Sequence, residues 1–354
     1  MDRGTCVVTG GAGFIGCAIS SGLADRFERV VAVDNLHPQI HPSATRPEAL
    51  DARVELVVGD VTTAEVWDSL LSDVVPGTVV HLAAETGTGQ SLTESNRHAV
   101  TNVVGTAQML DGFRRADRRP SRLVLTSSRA VYGEGAWRSA DDGALAYPGP
   151  RSTQMLERGE WDYPHAEPVA MEATVVMPQP ASIYGATKLT QEHLVTLWSD
   201  AEGVEAVVLR LQNVYGPGQS LINPYTGIMS LFCRLAREGA TIPLYEDGEV
   251  RRDFVLIDDV ATAVLAAVDV QRVPGRPVDI GSGQTHTIRT AAEIIARHYG
   301  APAPVVTGQF RAGDVRHAWA DVTAASELLG WTPAFGLDEG LTRLATWIDD
   351  VLER

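Results

Sequence analysis

The chain has 354 residues, 44% hydrophobic and 21% charged, an ordinary balance for a globular protein and enough length for two structural layers of different duty. A formal net charge of −16 argues against nucleic acid and anionic membranes as partners, since both require basic surfaces. Three cysteines (Cys6, Cys17, Cys233) with no CxxC and no zinc-spaced His/Cys cluster point to buried thiols and no metal site. The first apolar run is too short for a signal peptide and no stretch reaches membrane-spanning length, so reducing cytoplasm is the expected compartment.

In chain order, apolar runs at Thr5–Thr9, Val30–Val33, Val54–Val58, Val79–Leu82, Leu123–Thr126 and Ala206–Leu209 read as strands. Helical patterns fall between them, including Phe14–Ala24, Asn96–Arg115 and Ala186–Asp200. This alternation predicts an α/β fold: a doubly wound parallel sheet of the Rossmann type, with a smaller interleaved α/β domain behind it. The expected division is 1–216 for the first domain and 217–354 for the second, with 252–281 partly returning to the first. Residues 134–181 interrupt the rhythm with Pro, Gly, charge and the aromatics Trp137, Trp161 and Tyr163. A connection that long is either a surface excursion or a lid over a site.

Gly10-Gly-Ala-Gly13-Phe14-Ile15-Gly16 follows the first strand and opens the first helix, the context a dinucleotide fingerprint requires. Gly10 permits the tight turn, Gly13 lets backbone approach a pyrophosphate, and Gly16 allows close helix packing. Phe14 and Ile15 lie at the helix N-terminus, where free N–H groups meet phosphates. Asp34 ends the second strand, placed to hold an adenosine ribose and to repel a 2′-phosphate, with Asn35 beside it. NAD is therefore favoured over NADP. Asp60 and Val61 close the third strand near the adenine edge, and Leu82, Ala83 and Ala84 close the fourth.

Further on, Tyr184 and Lys188 are four residues apart on a helix and share a face, so the ammonium can lie beside the phenol. A free Tyr titrates near 10, so acting as a base near neutrality requires about three units of depression, or about 4 kcal/mol. A Lys ammonium and a nicotinium ring could supply it.

Together GGAGFIG, HLAAETGTGQS from His81, TSSRAVYG from Thr126, YGATK, LRLQNVYGPGQ from Leu209, RRDFVLIDDV from Arg251 and RAGDVRHAWAD from Arg311 carry a family likeness. The chain resembles, end to end, the nucleotide-sugar epimerases and dehydratases of the extended short-chain dehydrogenase/reductase family. The GQS, NVYGPGQSLINPYTG and GDVRH elements are most similar to 4-epimerases of deoxythymidine-diphosphate 6-deoxyhexoses, of the dTDP-L-rhamnose 4-epimerase type.

The resemblance implies Ser128 as the hydroxyl that bonds the reacting sugar alcohol, Ser127 being its nearest competitor. It implies Tyr184 as acid/base, Lys188 as the residue that tunes it and grips the nicotinamide ribose, and Asn102 as completing the relay and cofactor contacts. Asn213, Arg252 and Arg311 are placed on the diphosphate and Asp314 near the nucleoside ribose. Glu85, Thr86 and Gln90 either contact the hexose or line a loop. The implied chemistry is removal of the sugar hydroxyl proton by Tyr184 as hydride leaves for NAD⁺, rotation of the keto sugar, and return of hydride to its other face. The family's dehydratases carry an acidic pair directly after the catalytic Thr; Arg129 and Ala130 stand there instead, so elimination of water is not expected. A ketoreductase of a dTDP-4-keto-6-deoxyhexose would use the same Ser, Tyr and Lys. A non-catalytic nucleotide-binding protein is the more distant alternative. The family resemblance also implies a homodimer through the helices at Asn96–Arg115 and Ala186–Asp200, where Val100, Val104, Leu194 and Leu197 recur at helical spacing.

Overall fold

The computed structural model describes residues 4–221, 223 and 227–353. Part of the NVYGPGQSLINPYTG element, Ile222 and 224–226, lies outside the described residues. Seven parallel strands form the central sheet: β1 (Thr5–Thr9), β2 (Arg29–Asp34), β3 (Glu55–Val58), β4 (Pro76–His81), β5 (Arg122–Ser128), β6 (Glu205–Leu211) and β7 (Val278–Ile280). Their spatial order is β7-β6-β5-β4-β1-β2-β3, so strand order reverses between β1 and β4. A parallel sheet needs both faces covered. One face is sealed by α1 (Phe14–Ala24), where Ile19 and Leu23 join the apolar core that also holds Val260 and Val264 of a later helix. The other carries α2 (Ala64–Asp73), α3 (Gly105–Ala116) and α4 (Ile183–Glu202), with Trp67, Met109, Phe113 and Val195 buried against β1, β4 and β5.

The second layer is built on α5 (Ile228–Arg237), α7 (Ile288–Tyr299) and α8 (Leu337–Leu352), which share one core around Phe232, Ile295, Leu341 and Leu344. Between α5 and α7 the chain re-enters the first layer: α6 (Ile257–Asp269) packs on α1, and β7 extends the sheet. β7 is three residues long with a central Asp, which hides it from a search for apolar runs. Asp279 is tolerated there because the Tyr132 hydroxyl donates to its carboxylate at 2.8 and 2.9 Å.

The pattern at Asn96–Arg115 reads as one helix but folds as three pieces: Ser95–Ala99, a π-helical turn at Val100–Val104, and α3. Single π-turns inside helices recur at functional sites. This one carries Asn102, fully buried.

Residues 134–181 form a three-stranded antiparallel sheet, Trp137–Ser139 flanked by Leu145–Ala146 and Ala166–Pro168, plus a short helix, Thr153–Glu157. Trp137 is buried with its ring centroid 4.9 Å from that of Tyr163. This excursion is therefore a packed unit, fastened to the second layer by a buried ion network. Arg151 donates twice to Glu246, and Arg316 reaches Glu246, Asp247 and Asp162.

Candidate functional site

A single continuous cavity of about 1170 Å³ opens where strand order reverses, along the carboxyl ends of the strands. That is where ligands bind in open α/β sheets. Its floor is the glycine turn. Gly10 has φ +64°, and a Cβ there would sit 2.8 Å from the Ala83 nitrogen. A Cβ on Gly16 would meet the Gly11 carbonyl oxygen at 2.5 Å, so this glycine fits the helix start under its own turn. The N-terminus of α1 has no side-chain cap, leaving its N–H groups for an anion. Asp34 accepts from Ala12 N at 3.1 Å and from Leu36 N at 2.9 Å, with His41 Nε2 3.6 Å away. Its carboxylate thus secures the glycine turn, and further lone pairs remain for ribose hydroxyls. The turn, the uncapped helix and this carboxylate fit a dinucleotide.

The catalytic candidates meet where β5 ends. Ser128 caps the 3₁₀ turn Arg129–Tyr132, its Oγ accepting from Ala130 N at 3.1 Å, and its side chain lies close enough to Tyr184 to pull the phenol's pKa down. Capping and site roles thus coexist in one residue. Gly185 makes the meeting possible: a Cβ there would lie 2.4 Å from the Ala130 carbonyl oxygen, so only glycine lets α4 approach this closely. Ser127 instead donates to Glu192, which also holds Arg210 bidentately in the interior.

Burial pushes the Tyr184 phenol above its ordinary value, while the Ser128 hydrogen bond and the Arg129 charge pull it down. The expected placement of the Lys188 ammonium beside the phenol is not what the hydrogen bonds show. Lys188 Nζ donates to the Thr126 carbonyl at 2.7 Å and to Gln191 Oε1 at 2.5 Å, and burial depresses it to about 7. Gln191 in turn bonds Thr106 and His81, and His81 bonds Thr9 immediately before the glycine turn. Burial, then the Lys188 charge, depress His81 to about 3, so its ring is neutral and structural.

Two expected site residues stand outside the cavity lining, Asn102 and Gln90. Asn102 is consumed by protein: it accepts from Glu85 N at 2.7 Å and donates to the Glu85 carbonyl at 3.1 Å and to Thr187 Oγ1 at 2.9 Å. It pins the loop after β4 to α4 beside Lys188, supporting the cavity from behind. Gln90 pairs reciprocally with Gln39 at 2.9 and 3.0 Å and so closes a loop. The remaining candidates all line the cavity: Gly10, Gly13, Phe14, Ile15, Gly16, Asp34, Asn35, Asp60, Val61, Leu82, Ala83, Ala84, Glu85, Thr86, Ser128, Tyr184, Lys188, Asn213, Arg252, Arg311 and Asp314. Glu85 is ion-paired with Arg97 at 2.7 Å.

Nothing from 131–183 lines this cavity, which favours the surface-excursion reading of that segment over the lid. The excursion instead grips the segment that carries Arg311 and Asp314: Arg151 donates to the Asp314 carbonyl at 2.9 Å, and Asp162 holds Arg316 and His317. Arg252 is buried, its guanidinium donating to the carbonyls of Arg251, Val315 and Arg316. Burial and the Arg129 charge lower it to about 9. Sequence reasoning missed Gln191 and Thr187; Gln191, three residues after Lys188, shares its helix face and could have been read as its partner. Among the described residues no group of three or more His, Cys, Asp or Glu could hold a metal ion, and no helix is long and apolar enough to cross a membrane.

A Rossmann-type sheet with a dinucleotide cradle, a Ser/Tyr/Lys cluster and a second, cationic end defines a nucleotide-dependent enzyme of the short-chain dehydrogenase/reductase class. The chain belongs to the NAD dependent epimerase/dehydratase family, whose model matches residues 6–154 and 160–281. It is 55% identical to a dTDP-L-rhamnose 4-epimerase of Burkholderia thailandensis over 100% of this chain and 97% of that protein. A UDP-glucose 4-epimerase of Thermotoga maritima, solved with UDP-glucose, superposes with a TM-score of 0.78 at 28% identity, covering 98% of this chain and 99% of the other. The Thermus thermophilus UDP-glucose 4-epimerase, solved with NAD, gives 0.75 at 25% identity, again over 98% and 99%.

Proposed function

We propose that the chain is an NAD-dependent 4-epimerase of a dTDP-linked 6-deoxyhexose that works through a transient 4-keto sugar. The observation that carries this reading is the continuity of the cavity, from the glycine turn past Ser128, Tyr184 and Lys188 to Arg252 and Arg311. One end suits a dinucleotide and the other an anionic nucleotide sugar, with the acid/base group between them. The 55% identity to a dTDP-L-rhamnose 4-epimerase over the whole chain supports the choice of base and sugar.

NAD, when bound, supplies the acceptor and donor of hydride. Ser128 orients the sugar 4-hydroxyl and Tyr184 takes its proton, later returning it to the keto oxygen. Burial holds the phenol neutral, so ionisation depends on the Ser128 hydrogen bond and nearby cations. Lys188 spends two of its three donors on Thr126 and Gln191, leaving one for the nicotinamide ribose. Asp34 takes the adenosine ribose, and Asn35, Asp60 and Val61 flank the adenine. Arg252, Arg311 and Asn213 hold the diphosphate, Asp314 the nucleoside ribose, and Glu85 and Thr86 face the hexose. Where a dehydratase needs an acid after the catalytic hydroxyl, a guanidinium stands, so the keto sugar keeps its oxygen. The cysteines are free thiols, in keeping with a cytoplasmic enzyme.

We also propose a two-fold dimer. Val100, Val104 and Leu197 are 37%, 43% and 70% exposed on neighbouring helices, an apolar set that a second copy would cover, whereas Leu194 packs inward.

The cofactor that copurifies tests the reading. NAD held through gel filtration and released by denaturation fits a redox-neutral epimerase. A protein that purifies empty and fills only with NADPH refutes it.

A further inference from the structure

Arg129 follows the site serine directly and opens the turn that Ser128 caps. Its guanidinium is half-buried on the cavity wall and donates from Nε to Asn213 Oδ1 at 2.8 Å. The two Nη groups make no hydrogen bond among the described residues, and no carboxylate there lies within ion-pairing distance. It interacts with Asp314, Tyr184, Glu134 and Arg252 through space only. Two guanidiniums thus converge on the cavity wall of a chain with net charge −16, although a desolvated cation is costly unless an anion meets it. Arg252 is already fastened by backbone carbonyls. Arg129 presents an open fork, the geometry that takes phosphate oxygens two at a time.

We propose that Arg129 is a further catalytic residue: its free fork grips the sugar-proximal phosphate of the nucleotide sugar and stands between that phosphate and the Tyr184 phenol. This rests on the nucleotide-sugar reading of the site. Two consequences follow from the placement. The Nε–Asn213 bond fixes the distance from the phosphate anchor to Ser128 and Tyr184, so the 4-carbon of the hexose is presented to the base. The guanidinium also screens the phenol from the negative charge of the diphosphate, which would otherwise raise the cost of forming phenolate.

The test uses the full-length NAD-loaded protein, with dTDP as the binding probe in calorimetry and epimerisation followed across pH. Arg129→Met is expected to weaken dTDP at least about tenfold and to move the rising limb of kcat about one pH unit upward, with NAD retained. Arg129→Lys, which keeps the charge and loses the fork, is expected to lose dTDP affinity while the limb stays in place. A merely structural arginine would move neither readout in this split pattern. Equal dTDP affinity in wild type and Arg129→Met, or an unmoved limb in the Met variant, overturns the proposal. A wild-type protein that binds neither dTDP nor UDP removes the nucleotide-sugar reading itself.

Discussion

Removing the Arg151 guanidinium should both destabilise the protein and loosen its hold on substrate. Arg151 and Glu246 are joined by two hydrogen bonds of 2.8 and 2.9 Å, with side chains only 1% and 4% exposed. Breaking a buried pair by deleting one partner costs about 3–5 kcal/mol, because the other charge is left desolvated. In Arg151→Met, Glu246 keeps Arg316 at 2.9 Å, which places the loss near the lower end, about 3 kcal/mol. In Glu246→Gln, Arg151 loses its carboxylate, and the loss should be larger. The same arginine donates to the Asp314 carbonyl, so the segment bearing Arg311 and Asp314 loses an anchor. Urea unfolding followed by tryptophan fluorescence gives the stability change, and steady-state kinetics gives the rest: a raised KM for the nucleotide sugar at unchanged NAD affinity. A variant within about 0.5 kcal/mol of wild type with an unaltered KM would refute the clamp.

Tyr184→Phe should retain fold and NAD while turnover falls at least about a hundredfold, measured on the nucleotide sugar; near-normal turnover would exclude Tyr184 as the acid/base. Asp34→Ala should narrow the preference for NAD over NADP in parallel titrations, and should weaken both because the Ala12 contact goes with it. Leu197→Glu should give monomers in light scattering, and a wild-type monomer at micromolar concentration would contradict the dimer. Burial raises Glu134 to about 7. A carboxylate raised on folding contributes stability that is complete below its unfolded value, near 4.5, and is lost as pH rises through about 7. Glu134→Gln removes that titration, so unfolding measured across this window should show its stability gaining on wild type as pH rises, and a constant difference would contradict the assignment.

The cofactor half was legible because its determinants are local. The glycine turn follows a strand, Asp34 ends the next strand, and both positions follow from β-α-β connectivity alone. The break in the 96–115 helix was not legible, and the Asn102 it carries bonds Glu85 and Thr187, partners far apart in sequence. Nor could spacing reveal where Lys188 points. A shared helix face permits contact with Tyr184, but the carbonyl of Thr126 and the amide of Gln191 take the ammonium. The excursion reads as either a surface loop or a lid because it leaves and returns beside two site residues. Its actual position is set by Arg151, Asp162 and Arg316, whose partners lie 69 to 163 residues away. The return strand β7 was hidden for a similar reason, since distant partners, Tyr132 foremost, make Asp279 acceptable inside a sheet.

The most direct test of the epimerase assignment is proton NMR of a dTDP-6-deoxyhexose incubated in deuterated water with the purified protein and no added reductant. The C4 epimer is expected to accumulate to an equilibrium ratio, with protium retained at C4, since the hydride removed from that carbon returns to it without exchange with water. A substrate that stays unchanged, or a product that forms only with stoichiometric NADPH added to a 4-keto sugar, would contradict it.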